Sequence, residues 1–150
     1  MAKMVEVRLH GLTCEFAGDD GEDLEVTGTF TVLTFDDPSV VKTTNVIFDF
    51  PDGPIRMRKG ESVVIDRAVR VTMATPSVDP PGFGELFVKF GGELVERDPS
   101  PDTDDSLGSQ SETLHTNDVI NTEPLMWRFY FGRNEQIVRS DFSIVFVHPL

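Results

Sequence analysis

Acidic side chains gather at two places in this sequence. Six carboxylates fall between Glu15 and Glu25 with no Lys or Arg among them. Nine more fall between Glu93 and Glu123, where Arg97 is the only Lys or Arg. Carboxylates massed beside strand-like runs suit a hard cation. Ca²⁺ takes about six to eight oxygens at about 2.3–2.6 Å, so several side chains must converge from loops. Without the cation they repel one another at close range. No contiguous calcium motif is present. Asp102-Thr103-Asp104-Asp105-Ser106 is followed by Leu107, where an EF-hand loop needs glycine. There is no glycine-rich nonapeptide repeat either. A cation here needs ligands from two or more loops. The competing reading is a pair of solvated turns, because Asp, Ser, Pro and Gly are ordinary turn residues.

Other chemistry finds little to work with. His10, His115 and His148 are scattered, with no zinc spacing. There is no Gly-x-Ser-x-Gly elbow, phosphate loop or dinucleotide fingerprint. The expectation is a chain that is not an enzyme. Cys14 is the single cysteine and ends an apolar run, so it is expected to be a buried, inert thiol. The net charge of −13 excludes a nucleic acid partner and disfavours an anionic membrane unless a cation intervenes. The one basic concentration runs from Lys42 to Arg70 and includes Arg56, Arg58, Lys59 and Arg67. Four acids are interspersed, which reads as a solvated sheet face.

The elements that must position these residues are strands. "LEVTGTFTV" alternates Leu24, Val26, Phe30 and Val32 with polar neighbours, as a half-buried antiparallel strand does. Val63, Ile65, Val69, Val71 and Met73 share a phase, as do Leu125, Trp127, Phe129 and Phe131, and Phe142, Ile144 and Phe146. The pattern predicts strands near 4–14, 22–35, 43–50, 54–58, 62–73, 85–96, 125–131 and 141–147, separated by Gly-, Pro- and Asp-rich turns. A short helical turn is expected around Asn117–Asn121. The expectation is an all-β chain: one antiparallel, eight-stranded β-sandwich domain over 1–150, with a long polar acidic loop at about 97–124. No apolar stretch reaches membrane-spanning length, and no Sec-type signal peptide is evident. The expected location is cytoplasmic, or outside by a non-Sec route.

The two acidic segments resemble the binding loops of C2 and C2-like domains. The second loop of that family often runs Asp-x-Asp, several residues, then Asp-x-(Leu/Ile/Met)-Gly. "ERDPSPDTDDSLG" is similar, with Glu96 and Asp98 in the first places and Asp105 before Leu107-Gly108. "GDDGEDLEV" resembles the family's Asp…Gly…Asp-Pro-Tyr-Val segment, with Asp19 or Asp20 first and Asp23 last. It departs from the pattern at Leu24 and Glu25, and Glu96 stands where the family has Asp. The resemblance implies a C2-like sandwich that holds Ca²⁺ through Asp19, Asp20, Asp23, Glu96, Asp98 and Asp105. It implies attachment to a protein or phospholipid partner, self-association included. The alternative is a metal-independent structural or protein–protein interaction sandwich, such as an assembly subunit.

Overall fold

A computed structural model describes residues 3–18, 23–37, 40–50, 53–75, 85–97, 105–119, 122–133 and 135–147. Nine strands follow in order: β1 (Lys3–Ala17), β2 (Leu24–Asp37), β3 (Val40–Phe48), β4 (Ile55–Met57), β5 (Ser62–Met73), β6 (Phe87–Glu96), β7 (Asp105–His115), β8 (Leu125–Arg133) and β9 (Gln136–Val147). A four-stranded sheet has the order β5-β1-β9-β8, and a five-stranded sheet the order β3-β2-β6-β7, with β4 also paired to β2. All strand ladders are antiparallel. The architecture is the expected antiparallel sandwich.

Two expectations need correction. There are nine strands rather than eight among the described residues, and β7 occupies 11 residues of the stretch expected to be a loop. Its sequence, DSLGSQSETLH, lacks regular alternation for a physical reason. Leu107 is an extra residue between the pairs Leu94↔Gly108 and Val95↔Ser106, and Gly108 sits at φ 98°. This bulge resets the phase, so Leu107 and Leu114 are both buried although seven positions separate them. The short helical turn lies at Thr116–Asp118, slightly earlier than expected. Among the described residues no helix is long and apolar enough to cross a membrane.

The sheets meet through aromatic rings. Phe30 of β2 packs edge-on to Phe131 at 5.8 Å and tilts against Phe142 at 5.8 Å. Phe90 of β6 contacts Phe142, Phe129 and Trp127. Phe30, Phe90, Phe131 and Phe142 are all fully buried. Each such ring contributes apolar burial, and edge-on pairs add about 0.5–1.5 kcal/mol beyond it. Gly92 makes room for this contact, since a Cβ there would run into the Thr29 carbonyl oxygen and stand 2.6 Å from the Phe30 ring.

The outer face of the four-stranded sheet carries an ion-pair ladder. Arg70 and Arg8 both reach Glu6, and Arg8 continues to Asp66 at 2.6 Å. Burial alone would raise the Glu6 carboxyl, but hydrogen bonds from Arg70 and Arg8 outweigh it and hold the group below its ordinary range. Further along, Arg128 and Arg139 both hold Asp141, and Arg139 reaches Glu15 at 2.7 Å.

Two outcomes are expected. Gly92→Ala should lower the unfolding free energy by about 1–3 kcal/mol, read by urea denaturation, because the core must shift to admit the methyl group. The depressed Glu6 group stabilises the fold above the unfolded-state value near 4.5, and that contribution is lost as pH falls through the lower folded-state value. The gap in melting temperature between wild type and Glu6→Gln should therefore be widest at neutral pH and close on acidification below about 4.5.

Candidate functional site at the loop end

Strand register decides which chain segments share an end of the sandwich. Leu24, Glu25 and Val26 at the start of β2 pair with Met57, Arg56 and Ile55 of β4. On the other side Val26 pairs with Glu96 at the end of β6, and Glu96 pairs with Asp105 at the start of β7. The Arg97 amide donates to the Glu25 carbonyl at 2.7 Å. The acidic segments before Leu24 and after Arg97 therefore spring from neighbouring strand ends. The β8–β9 hairpin and the close of β1 complete the same end, since Ala17 pairs with Gln136.

The expected ligands divide into two groups. Asp19, Asp20 and Asp98 lie outside the described residues. Asp23, Glu96 and Asp105 are described, and their surroundings differ. The Asp23 carboxylate lies 3.6 Å from Arg58 Nε and 3.9 Å from Arg56 Nε, charge contacts too long for hydrogen bonds. Arg56 also donates to Glu25 Oε1 at 3.1 Å. Asp105 Oδ1 is 3.2 Å from Arg133 Nη1 of β8. Glu96 is buried, at 7 % exposure, within β6. Among the described residues no group of three His, Cys, Asp or Glu side chains could hold a metal ion.

The sequence pattern missed the basic and aromatic half of this end. Arg56 and Arg58 are exposed, as a solvated sheet face should be, but β4 and the residue after it also set them against Asp23 and Glu25. No local signal reports that pairing, because β4 is three residues long and 31 positions from Glu25. Phe16 was hidden by a bulge. The pairs Cys14↔Val138 and Phe16↔Ile137 leave Glu15 as an extra residue, which turns Phe16 outward to 47 % exposure. Lys59 Nζ lies 5.2 Å above its ring, within cation–π range. Ala17, Gly18, Asp23, Arg58 and Lys59 line a cleft of about 520 Å³. Cys14, beneath this end, is buried as expected. Burial, and then the charges of Glu15, Glu61 and Asp23, push its thiol up, which keeps it protonated and a poor nucleophile.

No protein-family model and no curated protein sequence matches the chain. Solved structures do match. CC2D1B, a C2 domain-containing protein described as one that "coordinates ESRCT-III activity during the mitotic reformation of the nuclear envelope", aligns over 95% of this chain and 54% of its own, with a TM-score of 0.51 and 13% identity. The fold is C2-like. The C2A domain of plant extended synaptotagmin 1 aligns over 99% of this chain and 96% of its own, with a TM-score of 0.49 and 8% identity. Human GIVD cytosolic phospholipase A2 aligns over 97% of this chain and 17% of its own, with a TM-score of 0.47 and 10% identity. This C2-like chain thus spans about half of the CC2D1B chain and far less of the phospholipase. At such identities the likeness is one of fold.

The pairs at the loop end of this C2-like domain join half-buried carboxylates to exposed arginines and are cheap to break, since pairs near the surface are each worth about 0–1 kcal/mol. Asp23→Asn and Asp105→Asn should each change stability by less than about 1 kcal/mol in urea denaturation. A larger loss for either would assign that carboxylate to holding the fold rather than to contacting a partner.

Proposed function

We propose that this chain is a C2-like binding module that attaches through its loop end to an anionic phospholipid surface, without a resident metal. The observation that carries the reading is Lys59 set over an exposed Phe16, with Arg58 beside Lys59 along the cleft and Arg56 sharing Asp23 with Arg58. An exposed aromatic ring with a cation over it and further cations at the same end suits the membrane interface: the ring enters the headgroup boundary and the cations meet phosphate. The net charge of −13 opposes this at long range. At physiological salt, however, charges more than about 8 Å from the surface are largely screened, so the groups at the tip decide. The module is a binder rather than a catalyst.

A second reading has its own support. The acidic segments leave neighbouring strand ends, and Glu96 stands opposite Asp105. Ca²⁺ shared between those segments would make attachment cation-dependent, with Asp23 and Asp105 drawn from arginine to metal.

Vesicle sedimentation and thermal melting separate the readings. The first predicts sedimentation with anionic but not neutral vesicles in the presence of chelator, lost in Arg58→Ala and Lys59→Ala and weakened in Phe16→Ala. The second predicts sedimentation only with Ca²⁺, together with a rise in melting temperature. Ligand at 100 times its Kd adds about 2.7 kcal/mol to stability. No sedimentation under either condition, with no Ca²⁺-dependent shift, would overturn both and leave a protein partner.

A further inference from the structure

We propose that β3 is a self-association edge, through which two copies of this chain join their five-stranded sheets antiparallel about Thr44. This inference is independent of the loop end. Among the described residues β3 is the outermost strand of its sheet, and residues 40–44 and 46 are exposed on both sides of the ribbon. Of the eight large hydrophobic residues exposed among the described positions, Val40, Val41 and Val46 belong to this one strand. Its sequence, VVKTTNVIF, is rich in β-branched residues and holds no Pro or Gly. Such a segment on an open edge is a template for another strand.

Charge argues for a second copy as the occupant. In a chain of net charge −13, β3 carries one charged side chain, Lys42. Lysine ordinarily guards an edge, but Lys42 Nζ is 3.0 Å from Asp36 of β2, so its charge is already balanced. The edge is thus close to neutral, and two acidic bodies can approach there with least repulsion.

Register follows from the bulges. Relative to β2, Lys42 and Ile47 are extra residues, which leaves Thr43–Val46 regular. A two-fold axis normal to an antiparallel pair must set one residue opposite itself. Centring on Thr44 places the regular stretch at the middle of the contact, with Lys42 and Val46 at its margins. Thr44 then faces Thr44 of the second copy, Thr43 faces Asn45, and the aliphatic stem of Lys42 lies along Val46. Centring on Asn45 would instead recruit Ile47, which is buried in the core. No like charges meet in the Thr44 register. A single strand edge falls well short of the about 1,200 Å² of a standard stable interface, so the dimer should be weak and reversible.

Sedimentation velocity of the wild type over a wide concentration range should show a monomer–dimer equilibrium. It should strengthen with added salt, which screens the repulsion between acidic bodies. An edge recruited by charge attraction would weaken instead. Thr44→Asp, which sets two carboxylates face to face, should abolish the dimer. Thr44→Cys should cross-link to itself under mild oxidation. Directly opposite residues stand about 4.5–5.5 Å apart, within the about 4.4–6.8 Å that a disulfide spans. Val46→Cys, which faces Lys42, should not. A wild type that stays monomeric at every concentration overturns the proposal without recourse to any variant. Cross-linking by Val46→Cys as strong as by Thr44→Cys overturns the register.

Discussion

The contact on which this fold depends is the packing of Phe30 and Phe90 of one sheet against Phe131, Phe129 and Phe142 of the other. It ties β2 and β6 to β8 and β9. It also fixes which strand ends stand together. β2 begins and β6 ends beside each other, while β8 and β9 turn back at the same end, where Arg133 reaches Asp105. Gly92 shows how little slack exists, since a methyl group there would run into the Thr29 carbonyl oxygen and meet the Phe30 ring at 2.6 Å. Close-packed interiors transmit such constraints rather than absorbing them. The geometry of the loop end is thus set largely by rings near the middle of the sandwich.

The features that bear on function sit where alternation fails. Regular strands were legible from period two alone. Leu24, Val26, Phe30 and Val32 are all buried, and β5 covers the span the pattern assigns to it. The bulges were not legible, because an extra residue leaves no mark in a one-dimensional pattern. One hid β7 behind Leu107-Gly108. Another turned Phe16 outward after Glu15. A third admits Asp66 at φ 51°, where it meets Arg8. Bulges cluster at sheet edges and near sites because they re-aim one side chain without disturbing the layer. At the candidate site, the acids could be read as a cluster from composition. Their partners Arg56, Arg58 and Arg133 could not, because only long-range register brings them there.

Charge is distributed unevenly, which limits where partners can bind. On the four-stranded sheet, Arg8, Arg70, Arg128 and Arg139 are matched by Glu6, Asp66, Asp141 and Glu15, so four positive charges meet four negative ones. Those pairs approach to 2.6–3.2 Å. A partner would have to break several at once to use that face. β3 offers the opposite case, a ribbon with almost no charge to satisfy. The loop end lies between these extremes, with exposed arginines held only loosely by Asp23.

That looseness links the two readings of the loop end. One carboxylate cannot serve two arginines and a divalent cation together. If Ca²⁺ takes Asp23, Arg56 keeps only Glu25 and Arg58 loses the one carboxylate within salt-bridge range among the described residues. The freed guanidinium groups then favour an anionic surface more strongly than before. Thermodynamic reciprocity requires the converse: a surface that draws the arginines away from Asp23 must raise its affinity for Ca²⁺ by the same factor. Attachment with and without the cation are then two corners of one cycle. In such a cycle Asp23 would couple the corners, since its contacts with Arg56 and Arg58, at 3.9 and 3.6 Å, are of the kind that exchange at little cost.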